Sequence, residues 1–295
     1  MGGTVLLRRG ALGDVALLGA VTSRVPGPVT VVTRPQYTGL AERLIGVDAA
    51  VPWPDDGPRE LARALPDATV IDLQGNLRSR ILTVLTGRGG GRIAKRSLAR
   101  RWRVWSKRPG PARPTVPELY AEACGVQPAP PPWIRVADVE RDHLALVPGA
   151  AWATKRYAPD RFIEVGRAWE GKVVVLGGPG EEEVCQRVAD ALPGSTCVVE
   201  RGFDQTLAFL GRTRVAVTGD TGPMHLAGAC GARVVALFGP THPDDGFFVY
   251  PGEVVQQDLD CRPCTLHRQP SCPLGHGRCM DHPPTSVIAA VMRQS

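Results

Sequence analysis

No stretch of this 295-residue chain approaches the ~20 consecutive apolar residues of a membrane-spanning helix, so none is expected. A signal peptide is not expected either. The only apolar stretch near the start, TVLLRRGALGDVALLGA, is broken by Arg8 and Arg9, and a cytoplasmic location is expected. A third absence is the dinucleotide fingerprint: GGPGEE (177–182) lacks the third glycine, which disfavours a nicotinamide dehydrogenase. Acidic residues are in deficit, 29 against 35 Lys and Arg, and the resulting formal charge of +6 points to anionic partners. No nucleic-acid recognition motif accompanies that charge, so nucleic acid is not expected. Gly (34) and Pro (28) are plentiful, but they punctuate periodic segments, and disorder does not follow.

What is present alternates strand and helix, the pattern of α/β folds with parallel sheets. Strands are expected at 4–9, 29–34, 50–53, 68–73 and 91–95, with helices starting near Asp14, Tyr37, Pro58 and Leu77 and another over 117–124. The Pro-rich run GVQPAPPPWIRV then reads as a linker over about 125–138, because proline removes donors and favours extended backbone. Alternation resumes with strands at 143–149, 172–178, 196–200, 214–220 and 233–240, and helices near 159–170, 181–191, 204–212 and 222–230. Two Rossmann-like domains, 1–138 and 139–295, facing across a cleft are the expectation. Beyond Pro243 the pattern gives way to a Cys-rich loop and a final helix over about 285–293.

The most informative segment is GDTGPMHLAGACGARVVALFGPTHP. An apolar strand runs into a Gly/Pro turn, a small-residue helix follows, and then the next strand. Asp220, Thr221 and the amide of Gly222 are thereby placed at the C-terminal end of a parallel strand. That is where open α/β sheets bind ligands, and a helix N-terminus there favours an anion. Asp, Thr and His in so tight a turn suit a polyhydroxyl ligand carrying phosphate. The plainer alternative is a strand–turn–helix connection with Asp220 as N-cap.

Five segments in order resemble glycosyltransferase family 9, the ADP-heptose:lipopolysaccharide heptosyltransferases: RRGALGDVALLGAV, VIDLQGNLRSRILTVLTG, VPGAAWATKRYAPDRFIEV, GDTGPMHLAGACGARVVALFGPT and CRPCTLHRQPSCPLGHGRCM. The resemblance implies a GT-B fold with an N-terminal acceptor domain and a C-terminal nucleotide-sugar domain. It implies inverting, metal-independent transfer of heptose from ADP-heptose to a lipopolysaccharide inner-core acceptor, with no cofactor required. Transient contact with the inner face of the cytoplasmic membrane follows from such an acceptor. Two alternatives stay open: a family member using another nucleotide sugar or glycan, and a non-catalytic nucleotide-sugar-binding protein. The presence of Asp14 argues against the second.

On that resemblance Asp14 is the base that takes the acceptor proton, although an acidic residue in a first helical turn also serves as a cap. Lys155, with Thr154 as a hydroxyl donor, would neutralise the leaving diphosphate together with Thr221 and Gly222. Glu181 falls at the ribose-binding position, Asp220 would bind sugar hydroxyls, and His225 would reach the sugar or phosphates unless it is a structural imidazole. The basic stretch 87–113, with Trp102 and Trp105 interleaved, reads as a solvated face or as an acceptor site in which Arg96, Arg100, Arg101 and Arg103 hold phosphates. The chain is short for the family, and Gly10-Ala11 stands where the family carries a small or hydroxyl pair.

Eight cysteines are many for a cytosolic chain. Cys124, Cys185, Cys197 and Cys230 sit in apolar contexts where buried thiols are the default. Cys261, Cys264, Cys272 and Cys279 crowd one loop, for which structural zinc, disulfides and free thiols are the alternatives.

Overall fold

The runs TVLL, VTVVT and HLALV are buried at every position, as strands covered by helices on both faces must be. The computed structural model describes residues 2–53, 58–94, 97–107, 113–199, 202–265 and 270–295, with backbone only over 97–100. It divides into two units, Met1–Arg96 with Pro114–Arg135, and Ser97–Arg113 with Val136–Ser295.

The first unit runs β1 (Gly3–Leu7), α1 (Leu12–Ala16), α2 (Gly19–Thr22), β2 (Val29–Thr33), α3 (Thr38–Ala41), β3 (Ala49–Pro52), α4 (Pro58–Ala64), β4 (Ala68–Asp72), α5 (Leu77–Thr86) and β5 (Gly89–Arg92). The next helix, α6 (Ser97–Ser106), groups with the second unit, and α7 (Val116–Cys124) returns to the first. All strands are parallel in the order β3-β2-β1-β4-β5, with Leu6 opposite both Val31 and Ile71. One core joins Val5, Leu7, Val32, Trp53, Leu61, Val70 and Leu82. The Pro-rich segment is partly built into this unit: Ala129 N–H donates to the Ala20 carbonyl, the buried Trp133 indole N–H donates to the Ala129 carbonyl, and Ile134 bridges Leu44.

The second unit continues with β6 (His143–Val147), α8 (Pro159–Arg167), β7 (Lys172–Gly177), α9 (Glu182–Asp190), β8 (Thr196–Val199), α10 (Gly202–Arg212), β9 (Thr213–Gly219), α11 (Gly222–Ala229), β10 (Arg233–Phe238), β11 (Gly252–Gln256) and α12 (Pro284–Gln294). Its parallel order is β11-β10-β9-β6-β7-β8. Two elements correct the sequence expectation. β11 was not foreseen beyond Pro243, because GEVVQ is a short, half-buried edge strand without a clear alternation. α6 was read only as a basic stretch, since its charges mask the helical spacing that the structure shows.

The order in which successive strands are added reverses at one place in each sheet. In the first that place lies between β1 and β4, and in the second between β6 and β9. Loops leaving adjacent strands in opposite directions open a crevice there, at the carboxyl ends.

Candidate functional site

Asp14 lies just after β1, at the reversal point of the first sheet. Its Oδ2 accepts from the Ala11 amide at 2.9 Å and pairs with Arg8 Nη2 at 2.5 Å. The first contact is half of a capping box; Ala11 has no side-chain acceptor to complete it. Among the described residues Oδ1 keeps no such partner, so one carboxylate oxygen is fixed and the other is open to a proton. Arg8 also donates to the Leu73 carbonyl at 2.8 Å and stands over the Tyr120 ring at 5.8 Å. Burial pushes the Tyr120 hydroxyl well up, so it stays protonated beneath the pair. Arg8 entered the sequence reading only as an interruption of an apolar run; nothing in its local pattern marks it as the partner of a residue six positions on.

The second sheet assembles a larger constellation. Lys155 sits in the turn after β6 and Asp220 directly after β9, on the two sides of the reversal point. Lys155 Nζ donates to Asp220 Oδ2 at 2.6 Å and to its carbonyl at 2.7 Å. Thr241, after β10, donates to the same carboxylate oxygen at 2.7 Å. Asp220 is 7% exposed. Burial opposes its charge, but the Lys155 ammonium outweighs that, and with Thr241 it holds the carboxyl below the usual range. The N-cap of α11 is Thr221, in extended conformation, so the reading of Asp220 as a cap is replaced by one in which it is a buried, cation-held acceptor. Pro223 follows Gly222 and carries no amide hydrogen, and the Met224 amide donates to the Thr221 carbonyl. Of the first turn, the Gly222 amide is therefore the donor left for an anion.

His225 is buried on α11, with Nδ1 3.1 Å from the Tyr250 hydroxyl and the two rings 5.9 Å apart. Its imidazole is thus positioned by a phenol, and it lies close enough to Asp220 to act on its charge. Glu181 occupies the N-cap of α9, where Oε2 accepts from the Gly178 amide at 2.8 Å. Its carboxylate lies against Gly149 at the end of β6; a Cβ there would come within 2.1 Å of Oε2, so only glycine admits this approach. Thr154 is half-buried in the short turn Ala153–Lys155. Thr154, Lys155, Glu181, Asp220, Thr221, Gly222 and His225 thus gather at the carboxyl edge of one sheet, joined by Thr241, which sequence reasoning passed over although it closes the FGPT run.

The expected acceptor arginines fare differently. Arg96 and the side chain of Arg100 lie outside the described residues, and Arg101 is exposed on α6. Arg103 is 5% exposed and paired with Asp244 at 2.7 Å and Asp245 at 3.7 Å, fastening α6 within the second unit. Trp102 and Trp105 are exposed, with ring centroids 4.9 Å apart and the planes tilted by 43°.

Cys261, Cys264, Cys272 and Cys279, for which zinc, disulfides and free thiols were the alternatives, lie in the stretch before α12. Among the described residues no three His, Cys, Asp or Glu side chains converge so as to hold a metal ion. Cys264 Sγ turns to the Cys261 carbonyl at 3.0 Å, Cys261 Sγ lies 3.9 Å from His276 Nε2, and Cys279 is buried in the apolar core. Burial pushes the Cys279 thiol up to about 11, whereas backbone amides around Cys272 lower its thiol. None of the eight cysteines, all of them described, is joined in a disulfide.

The sequence profile of glycosyltransferase family 9 (heptosyltransferase) matches residues 117–264, half of the chain. The chain belongs to that family. It is 29% identical over 164 residues to lipooligosaccharide heptosyltransferase 2 of Campylobacter jejuni, covering 52% of this chain and 51% of that relative. The chain spans about half the length of the curated relatives it matches first. Its fold is similar to that of a family 9 glycosyltransferase from Veillonella parvula, with a TM-score of 0.75 and 20% identity over 99% of this chain and 97% of that one. An Escherichia coli heptosyltransferase solved with ADP gives a TM-score of 0.69 and 16% identity over 99% of each chain. The family member described here has the GT-B fold of these neighbours, two parallel-sheet α/β domains.

Proposed function

We propose that this family 9 protein is an inverting, metal-independent glycosyltransferase that moves a heptose from ADP-heptose to a phosphorylated inner-core glycolipid. The observation that carries the reading is the buried Lys155–Asp220–Thr241 cluster beside the α11 N-terminus, at the reversal point of the second sheet. A nucleoside diphosphate sugar needs a cation and amide donors for its phosphates and a fixed acceptor for sugar hydroxyls, and this edge presents both. The E. coli neighbour binding ADP supports the same nucleotide here.

Asp14 takes the proton of the acceptor hydroxyl through its open oxygen, while Arg8 and the Ala11 amide hold the other. The hydroxyl oxygen attacks the anomeric carbon opposite the diphosphate, the bond to ADP breaks, and configuration inverts. Lys155, Thr154 and the Gly222 amide meet the charge that gathers on the departing ADP. Glu181 holds the ribose, Asp220 the sugar hydroxyls, and His225 the sugar or phosphates. Arg101 contacts acceptor phosphates, and a membrane-borne acceptor places the protein at the cytoplasmic face of the membrane. No helix among the described residues is long and apolar enough to cross one. Incubation with a panel of nucleotide sugars and a phosphorylated inner-core glycolipid, followed by mass spectrometry, tests the reading. Consumption of ADP-heptose with a heptose added to the glycolipid is expected; consumption of a different donor, or of none, overturns it.

A further inference from the structure

The helix α5 buries one face and leaves an apolar one in water. Ser79 and Leu82 are enclosed, while Leu77 is 74%, Val84 73%, Ile81 45% and Leu85 40% exposed. Positions 77, 81, 84 and 85 share one side of an α-helix, so these four form a continuous stripe. The stripe is held in place. Asn76 and Ser79 exchange capping bonds at 2.9 and 3.0 Å, and Gly87 closes the helix in the left-handed conformation. Exposed apolar stripes of this kind mark contact surfaces.

Charge specifies the partner. From Leu73 to Pro117 the sequence contains no Asp or Glu and twelve Lys and Arg. Arg78 and Arg80 stand exposed on α5 itself, one on each side of the stripe. We propose that the outer face of α5 docks on an anionic lipid bilayer, its four apolar side chains entering the boundary below the headgroups and its arginines reaching lipid phosphates. A face apolar along its centre and cationic at its margin, on a helix lying flat, is the pattern of interfacial helices. The inference deepens the membrane contact proposed above. Vesicles free of glycolipid separate its failure from a failure of the transfer reading.

The test is sedimentation of the full chain with vesicles of phosphatidylcholine alone and with added phosphatidylglycerol. Binding to the anionic vesicles only, weakened by salt, is expected. Each arginine near such a surface contributes about fivefold in partitioning at low salt, so Arg78→Gln with Arg80→Gln should lose about 25-fold. Ile81→Ser with Val84→Ser should lose about tenfold or more. Both pairs change exposed positions, and circular dichroism should be unaltered; should the serine pair unfold the chain, the glutamine pair decides. Three results overturn the proposal: no binding of the wild type to anionic vesicles, undiminished binding by the variants, or a dimer by light scattering that the serine pair dissolves without affecting sedimentation.

Discussion

At the scale of single residues, Asp14 and Lys155 make separable demands. Asp14→Asn keeps the shape and the Ala11 contact and removes the proton acceptor. We expect kcat to fall about 10²–10⁴-fold with ADP affinity unchanged by calorimetry. Near-normal turnover would leave Asp14 as a capping residue alone. Lys155→Ala removes both bonds to Asp220 and leaves that carboxylate buried with Thr241. Breaking a buried pair from one side costs about 3–5 kcal/mol, and a lost charge-assisted contact to phosphate should weaken ADP about tenfold or more. Unchanged ADP affinity in a folded Lys155→Ala protein would remove Lys155 from the phosphate site. The pH dependence has a fixed sign. Asp220 is held below its ordinary range, so its contribution is present above the unfolded value, near pH 4, and is lost as pH falls through the folded value.

At the scale of elements, the join between the Cys-rich loop and α12 carries its own titration. His282 is fully buried, and neither ring nitrogen has a hydrogen-bond partner among the described residues. Its carbonyl anchors Tyr157 and Arg161 at 3.0 and 2.9 Å, fixing the entry to α12 against α8. Burial, reinforced by Arg262 and Arg161, pushes the imidazole down to about 4. The unfolded chain takes up a proton near pH 6.5 that the folded one refuses, so stability falls between about pH 6.5 and 4, by up to about 3 kcal/mol. His282→Phe removes the proton site and fills the same apolar space. Denaturant midpoints measured across that range should drop for the wild type and stay flatter for His282→Phe; equal slopes would place the imidazole in a hydrated setting.

At the scale of the whole molecule, the two units have different ligands to answer to. Every residue proposed to hold ADP lies between Thr154 and Thr241, within the second unit. Hydrogen exchange with and without ADP should slow in the segments around Lys155, Glu181 and Thr221 and leave β1, β2 and β4 of the first unit unchanged. Slowing centred on the first sheet would misplace the nucleotide. The division into two sheets was legible because valine-rich runs separated by helical spacing recur on both sides of a Pro-rich stretch. β11 and α6 were not legible, since a short edge strand buries too little apolar surface to show a period and α6 hides its spacing under arginine.

The sequence by itself determined the buried central strands and that GD, TKR and DTGP motifs follow them, because burial on both faces and the turn chemistry of Gly and Pro are local constraints. It determined the family on the same residues. Tertiary structure alone decided which side chains meet. Arg8 reaches Asp14 because the turn after β1 doubles back, and Thr241 reaches Asp220 because β9 and β10 pair side by side, and no periodicity encodes either meeting. The same holds for Arg103, withdrawn from solvent by Asp244 and Asp245, and for Cys264, Cys261 and Cys279, whose thiols the fold turns to a carbonyl, an imidazole and the core. Burial and pairing are properties of neighbours in space, and only the folded chain supplies them.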